Sequence, residues 1–166
     1  VTVQPIAPPA SSYTNNIPTG YSLIANQLDH GSNTLNEIMP VVPEGSYLFK
    51  YNNAVGIYLT ASYYNGAWQP GNLALNPGEG AWLYSPTNFT LILTGSPHVP
   101  VLPLPTCAGY RLLSRQTNGI GTFDNIIGAS PQPNDAVYIW NGAAFTFYQF
   151  DEFALTWSPS DPTIAV

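Results

Sequence analysis

The chain repeats itself, and the repeat limits what it can fold into more than any other feature. GYSLIANQ from Gly20 returns as GYRLLSRQ from Gly109, an offset of 89 residues. Gly20, Tyr21, Leu23 and Gln27 recur as Gly109, Tyr110, Leu112 and Gln116. After a one-residue slip, Thr34, Ile38 and Pro43 recur as Thr122, Ile126 and Pro131. The first offset then returns and pairs Asn52, Trp68 and Pro70 with Asn141, Trp157 and Pro159. Identities that keep register from Gly20 to Pro70 mean that one structural unit is built twice.

The unit reads as strand. Residues 46–51 and 136–140 alternate apolar and polar and run into Asn52-Asn53 and Asn141-Gly142, which are hairpin turn signals. Residues 55–60 and 144–150 follow as return strands. Residues 81–84 and 89–94 form another apolar pair joined across 85–88, and 21–25 and 110–114 read as buried strands. Residues 34–39 and 122–127 have room for one helical turn each. Thr34 with Glu37 makes a capping box there, while Asn125 leaves its counterpart half formed. Seventeen prolines and 14 glycines break the chain too often for long helices. The expected fold is all-β, with two related antiparallel β-sandwich-like lobes joined by a proline-rich linker. Its parts are an extended N-terminal strand and tether (1–17), a first repeat (18–96), the linker (97–106) and a second, incomplete repeat (107–166).

The second repeat is shorter than the first. Repeat 1 runs on through LALNPGEGAWLYSPTNFTLILTG (73–95), whereas Val166 corresponds to Pro77. A cut of the chain would account for this. The alternative is an open edge with an uncovered groove, expected at Val137, Ile139, Phe145, Phe147 and Trp157, that a second copy fills. Val1, Val3 and Ile6 extend an alternating pattern and supply a donor strand, with 8–12 as its tether. Such β-strand addition runs head to tail and yields rings or filaments.

Composition removes other classes. Three Lys and Arg against nine Asp and Glu give a net charge of −6, too few cations to displace counterions from nucleic acid. No apolar run approaches the ~18–20 residues of a membrane helix. The opening VTVQPIAPPA has neither the basic start nor the apolar core of a signal peptide. Surface polarity supplied by Asn, Gln, Ser and Thr suits a secreted, extracellular or cell-surface protein. Cys107 is the single cysteine, so it forms no internal disulfide and reads as a small buried side chain. Asn88-Phe89-Thr90 is a sequon and makes Asn88 a candidate glycosylation site.

Nothing in the spacing of acids, histidines or serines forms a catalytic signature. Asp151 and Glu152 are adjacent and point to opposite faces of a strand, and Glu79 sits in a tight Pro-Gly-Glu-Gly turn. His30 and His98 lack metal-ligand spacing, and no nucleophile elbow or phosphate loop occurs. The expectation is a protein without enzymatic activity, cofactor or metal. Trp68 and Trp157 recur and so read as shared packing. The unrepeated Trp82, Tyr63 and Tyr64, with Asn65 and Gln69 as hydrogen-bonding partners, make a candidate carbohydrate-stacking surface.

GYSLIANQLDHGSNTLNEIMP, VPEGSYLFKYNN and LNPGEGAWLYSP resemble a group of secreted, β-rich bacterial proteins of verrucomicrobial type. The likeness covers most of residues 18–166. In that group the second repeat continues into its own glycine-rich turn and aromatic strand, and no catalytic residue is implied. The leading functional expectation is a structural subunit of an extracellular fibre or surface layer that assembles with copies of itself. The alternative is a cell-surface module that binds glycans.

Overall fold

A computed structural model describes residues 11–52, 54–104, 109–117 and 119–164. In the first lobe β1 (Ser11–Ile17), β2 (Gly20–Ala25) and β3 (Leu28–Asp29) lead into the single turn α1 (Leu35–Ile38). Then come β4 (Tyr47–Asn52), β5 (Ile57–Tyr64), β6 (Ala67–Gln69), β7 (Gly80–Ser85) and β8 (Phe89–Pro97). The second lobe holds β9 (Gly121–Thr122), α2 (Phe123–Ile127), β10 (Ala136–Trp140), β11 (Phe145–Asp151), β12 (Thr156–Ser158) and β13 (Thr163–Ile164). Strand outweighs helix 47% to 6%, and the fold is all-β in two lobes.

The first lobe is sandwich-like. A five-stranded antiparallel sheet of order β2-β7-β4-β5-β6 faces a three-stranded sheet of order β1-β8-β3. Leu48, Ala81 and Leu83 from one sheet and Leu91 and Leu93 from the other meet in one buried cluster, with Leu35 and Ile38 of α1 and Trp68. The alternation of each strand sends one set of side chains into this core and the other outward.

Two sequence expectations change here. The apolar strands joined across 85–88 do not pair with each other. β7 lies between β2 and β4, and β8 lies between β1 and β3, so the chain crosses from one sheet to the other at that turn. Alternation marks the core-facing residues of both strands but does not say whether they pair side by side or face each other. The expected tether is also partly strand. Ser11 to Ile17 pair antiparallel with Gly95 to Phe89, so β1 belongs to the first lobe's own sheet. Val1, Val3 and Ile6 lie outside the described residues, as does Cys107.

The second lobe reproduces part of the first. β10-β11-β12 matches β4-β5-β6 in order and direction. The Thr122↔Thr163 pair of β9 and β13 repeats the isolated Thr34↔Ala74 bridge. Both helical turns carry a complete capping box, and the Asn125 amide takes the place of Glu37 by accepting from the Thr122 N–H. Residues 110–114 do not enter the β10 sheet as β2 enters its own. They run along the first lobe's 78–80 turn, where the Gly80 N–H donates to Leu112 O (3.1 Å) and the Ser114 N–H to Gly78 O (2.9 Å). Among the described residues, no helix is long and apolar enough to cross a membrane.

Candidate functional site: an open strand edge beside an aromatic face

The edge of β10 follows from the incomplete match between lobes. In the first lobe β4 is a central strand, with Tyr47 to Lys50 paired to Tyr84 to Ala81 on one side and β5 on the other. Its counterpart β10 pairs only with β11 among the described residues. Asp135 O accepts from the Phe150 N–H (3.0 Å), and the Asn141 N–H donates to Ala144 O (3.1 Å). Antiparallel bonding alternates with a two-residue period. The amides of Val137 and Ile139 therefore face β11, and those of Ala136 and Tyr138 face the open edge.

The edge carries none of the usual protection. Sheet edges in soluble proteins are commonly blunted by Lys, Pro or inward charges. β10 reads Ala-Val-Tyr-Ile-Trp, the composition of a central strand in an edge position. Its core-facing side is correspondingly half covered. Leu48, Tyr63 and Trp68 are at most 4% exposed, whereas Val137, Phe150 and Trp157, which hold the corresponding places in the pairing, remain half-buried.

The register divides the expected acceptor groove. Val137, Ile139 and Trp157 share the face that corresponds to the first lobe's core. Phe145 and Phe147 point the other way, opposite Trp140 and Tyr138. A one-residue step along a strand reverses the face, and the sequence match alone had merged the two sides.

That second face joins an aromatic surface spanning both lobes. On the first lobe's five-stranded sheet, Tyr21, Tyr47, Phe49, Trp82 and Tyr84 lie on the side opposite Leu48 and Leu83. Trp82 meets Trp140 edge-on at 5.3 Å between centroids and Phe145 at 6.0 Å, and so links the lobes. The Trp140 indole nitrogen is buried there without an acceptor among the described residues.

The expected carbohydrate set is not assembled. Tyr63 is 4% exposed, packs edge-on against Trp68 and donates its hydroxyl to Pro40 O, so it cannot stack on a sugar. Trp82 is engaged by the second lobe. Tyr64 and Gln69 do point outward, and Asn65 occupies the β5–β6 turn with a positive φ, its N–H bonded to Glu44. Asn88 is exposed in the turn between β7 and β8, as a sequon must be.

The lobe junction is a polar arrangement that the sequence reading missed. Gln116 Oε1 accepts the Val101 N–H (2.9 Å) and its Nε2 donates to Val101 O (3.1 Å), so one side chain pins the linker backbone. His98 Nδ1 lies 2.7 Å from Asp29 Oδ2, and its Nε2 lies 3.1 Å from Gln116 Oε1. Both ring nitrogens face side-chain oxygens. Recurrence of Gln27 as Gln116 was the available signal. Glu79 completes its turn by accepting from the Asn76 N–H and pairs with Lys50 at 2.6 Å. That is a structural role, as the turn context suggested. Burial holds the Tyr13 phenol protonated well above its ordinary range, and its hydroxyl donates to Ala25 O.

Comparison with protein-family models, curated proteins and solved structures finds no match.

Proposed function

We propose that this chain is a structural subunit of an extracellular or surface assembly, in which the edge of β10 takes a strand from a neighbouring copy. The observation that carries the reading is the apolar, unblunted β10 edge in the position that β7 covers in the first lobe. The first lobe supplies the template. Leu83 stands opposite Leu48 and Ala81 opposite Lys50. By that register Val3 stands opposite Val137 and Val1 opposite Ile139. Because β1 begins at Ser11, only residues 7–10 separate Ile6 from the lobe. Four extended residues span at most about 14 Å, so donor and acceptor lobes lie close together.

Two edge-facing donor residues exchange about four backbone hydrogen bonds at ~1 kcal/mol each. Burial of Val1 and Val3 adds ~1.5–3 kcal/mol apiece. Association costs ~4–15 kcal/mol, so the strand contact sets direction and register and needs a second contact for strength. The low density of charge opposes none of this.

The test compares the full chain with Val3→Asp by negative-stain microscopy and light scattering. Head-to-tail polymers in the wild type that are absent in the variant support the reading. A wild-type chain that stays monomeric, or polymers that persist in Val3→Asp, overturn it. The carbohydrate-binding alternative keeps only Tyr64, Asn65 and Gln69 of its residues on an accessible surface, and glycan binding lost on Tyr64→Ala would favour it instead.

A further inference from the structure

The aromatic face is large. Ring contacts run without a break from Tyr47 through Tyr84, Tyr21 and Trp82 to Phe145, Tyr138 and Phe147, with Tyr110 against Tyr138. Six of these rings, Tyr21, Tyr47, Tyr110, Tyr138, Phe145 and Phe147, are between 43% and 75% exposed. Aromatic side chains bury ~150–250 Å² each, so covering the exposed part of six removes roughly 600 Å² from water. That approaches the ~800 Å² per partner of a standard protein–protein interface. It also reaches the upper end of the ~300–600 Å² patch that a monomer ordinarily exposes.

We infer that this face is a self-association surface: two copies of the chain lay their aromatic faces against each other about a twofold axis. A like face is the fitting partner because one such face approaches the area that each partner of a stable dimer buries, and because Tyr and Phe are the residues enriched in interface cores. Each tyrosine presents an apolar ring and a hydroxyl at its rim, which lets like faces interlock with their polar edges at the margin. A twofold contact closes on itself and so pairs chains side by side. The strand contact at β10 would join them end to end. The inference shares with the preceding section only the identity of the partner.

The two contacts are tested apart in the full chain carrying Val3→Asp, which disables strand donation and leaves the aromatic face intact. Sedimentation equilibrium of this variant gives a dimer. Adding Tyr21→Ser and Tyr47→Ser raises the dimer dissociation constant at least about a hundredfold, as loss of two aromatic anchors does. Circular dichroism, unchanged by the added pair, shows that the fold survives. Val41→Ser, at an exposed apolar position outside this run of rings, leaves the dimer intact. A monomeric Val3→Asp protein overturns the inference, as does a dimer indifferent to the tyrosine pair. Quenching of tryptophan fluorescence by a neutral glucan oligosaccharide, lost with the same pair in a monomeric protein, also overturns it and makes the face a sugar platform.

Discussion

Gln27 and Gln116 occupy the same place in the repeat and have opposite circumstances. Gln116 bonds both ends of its amide to Val101, whereas both amide atoms of Gln27 are buried without a partner among the described residues. A buried polar group left unpaired costs its full desolvation, and an apolar replacement of like shape removes that cost. Gln116→Met is expected to lower stability by about 1–3 kcal/mol, because it leaves Val101 unpaired. Gln27→Met is expected to leave stability unchanged or raise it. Denaturant unfolding of the two variants checks the contrast, and equal losses would refute it. Glu37 gives a residue-scale dependence on pH. The Thr34 N–H donates to its carboxylate and holds its pKa below the ordinary value. A depressed folded pKa gives stability that is present above the unfolded value of about 4.3 and is lost as pH falls through the folded one. Carbon-13 titration of Glu37 by NMR should find the depressed value, and Glu37→Gln should remove this contribution to acid sensitivity.

At the scale of elements, the hairpins 47–64 and 136–151 were legible because alternation and Asn-Asn or Asn-Gly turns are local signals. The crossing between β7 and β8 was not, because a short turn between two apolar strands serves a hairpin and a change of sheet equally well. The aromatic face was visible in part, as alternate aromatic positions at 47 and 49, 82 and 84, 138 and 140, and 145 and 147. Recurrence between the repeats pairs equivalent positions and carries no information on which rings share one side of a sheet. The same limit places Phe145 in the groove with Val137 and Tyr63 on the surface. The second capping box reads as half formed in the sequence because Asn is shorter than Glu, yet the Asn125 side chain still reaches Thr122 at 3.4 Å. The 78–80 turn is the element on which the lobes meet. Gly78 has φ +88, and a Cβ there would stand 2.6 Å from Gln116 Cγ. Gly78→Ala is therefore expected to cost at least ~1–2 kcal/mol from backbone handedness alone, with the clash in addition. Thermal unfolding should show it, together with faster hydrogen exchange at Ser114, whose N–H donates to Gly78 O.

For the whole molecule, the two lobes differ in how far each sheet is covered. The first has a closed core between two sheets, and the second offers the corresponding strands with one edge and half a face uncovered by any described residue. The assembly account assigns that edge to a neighbour's Val1 and Val3. Amide hydrogen exchange at β10 tests this most directly, because the strand's two faces of hydrogen bonding are separable. The amides of Val137 and Ile139 face β11 and are protected in any folded state. Those of Ala136 and Tyr138 face the open edge and exchange slowly only when another strand is in place. The account predicts slow exchange at Ala136 and Tyr138 in assembled wild-type protein and fast exchange in Val3→Asp. Equal exchange at these two amides in both proteins, fast or slow, would contradict it.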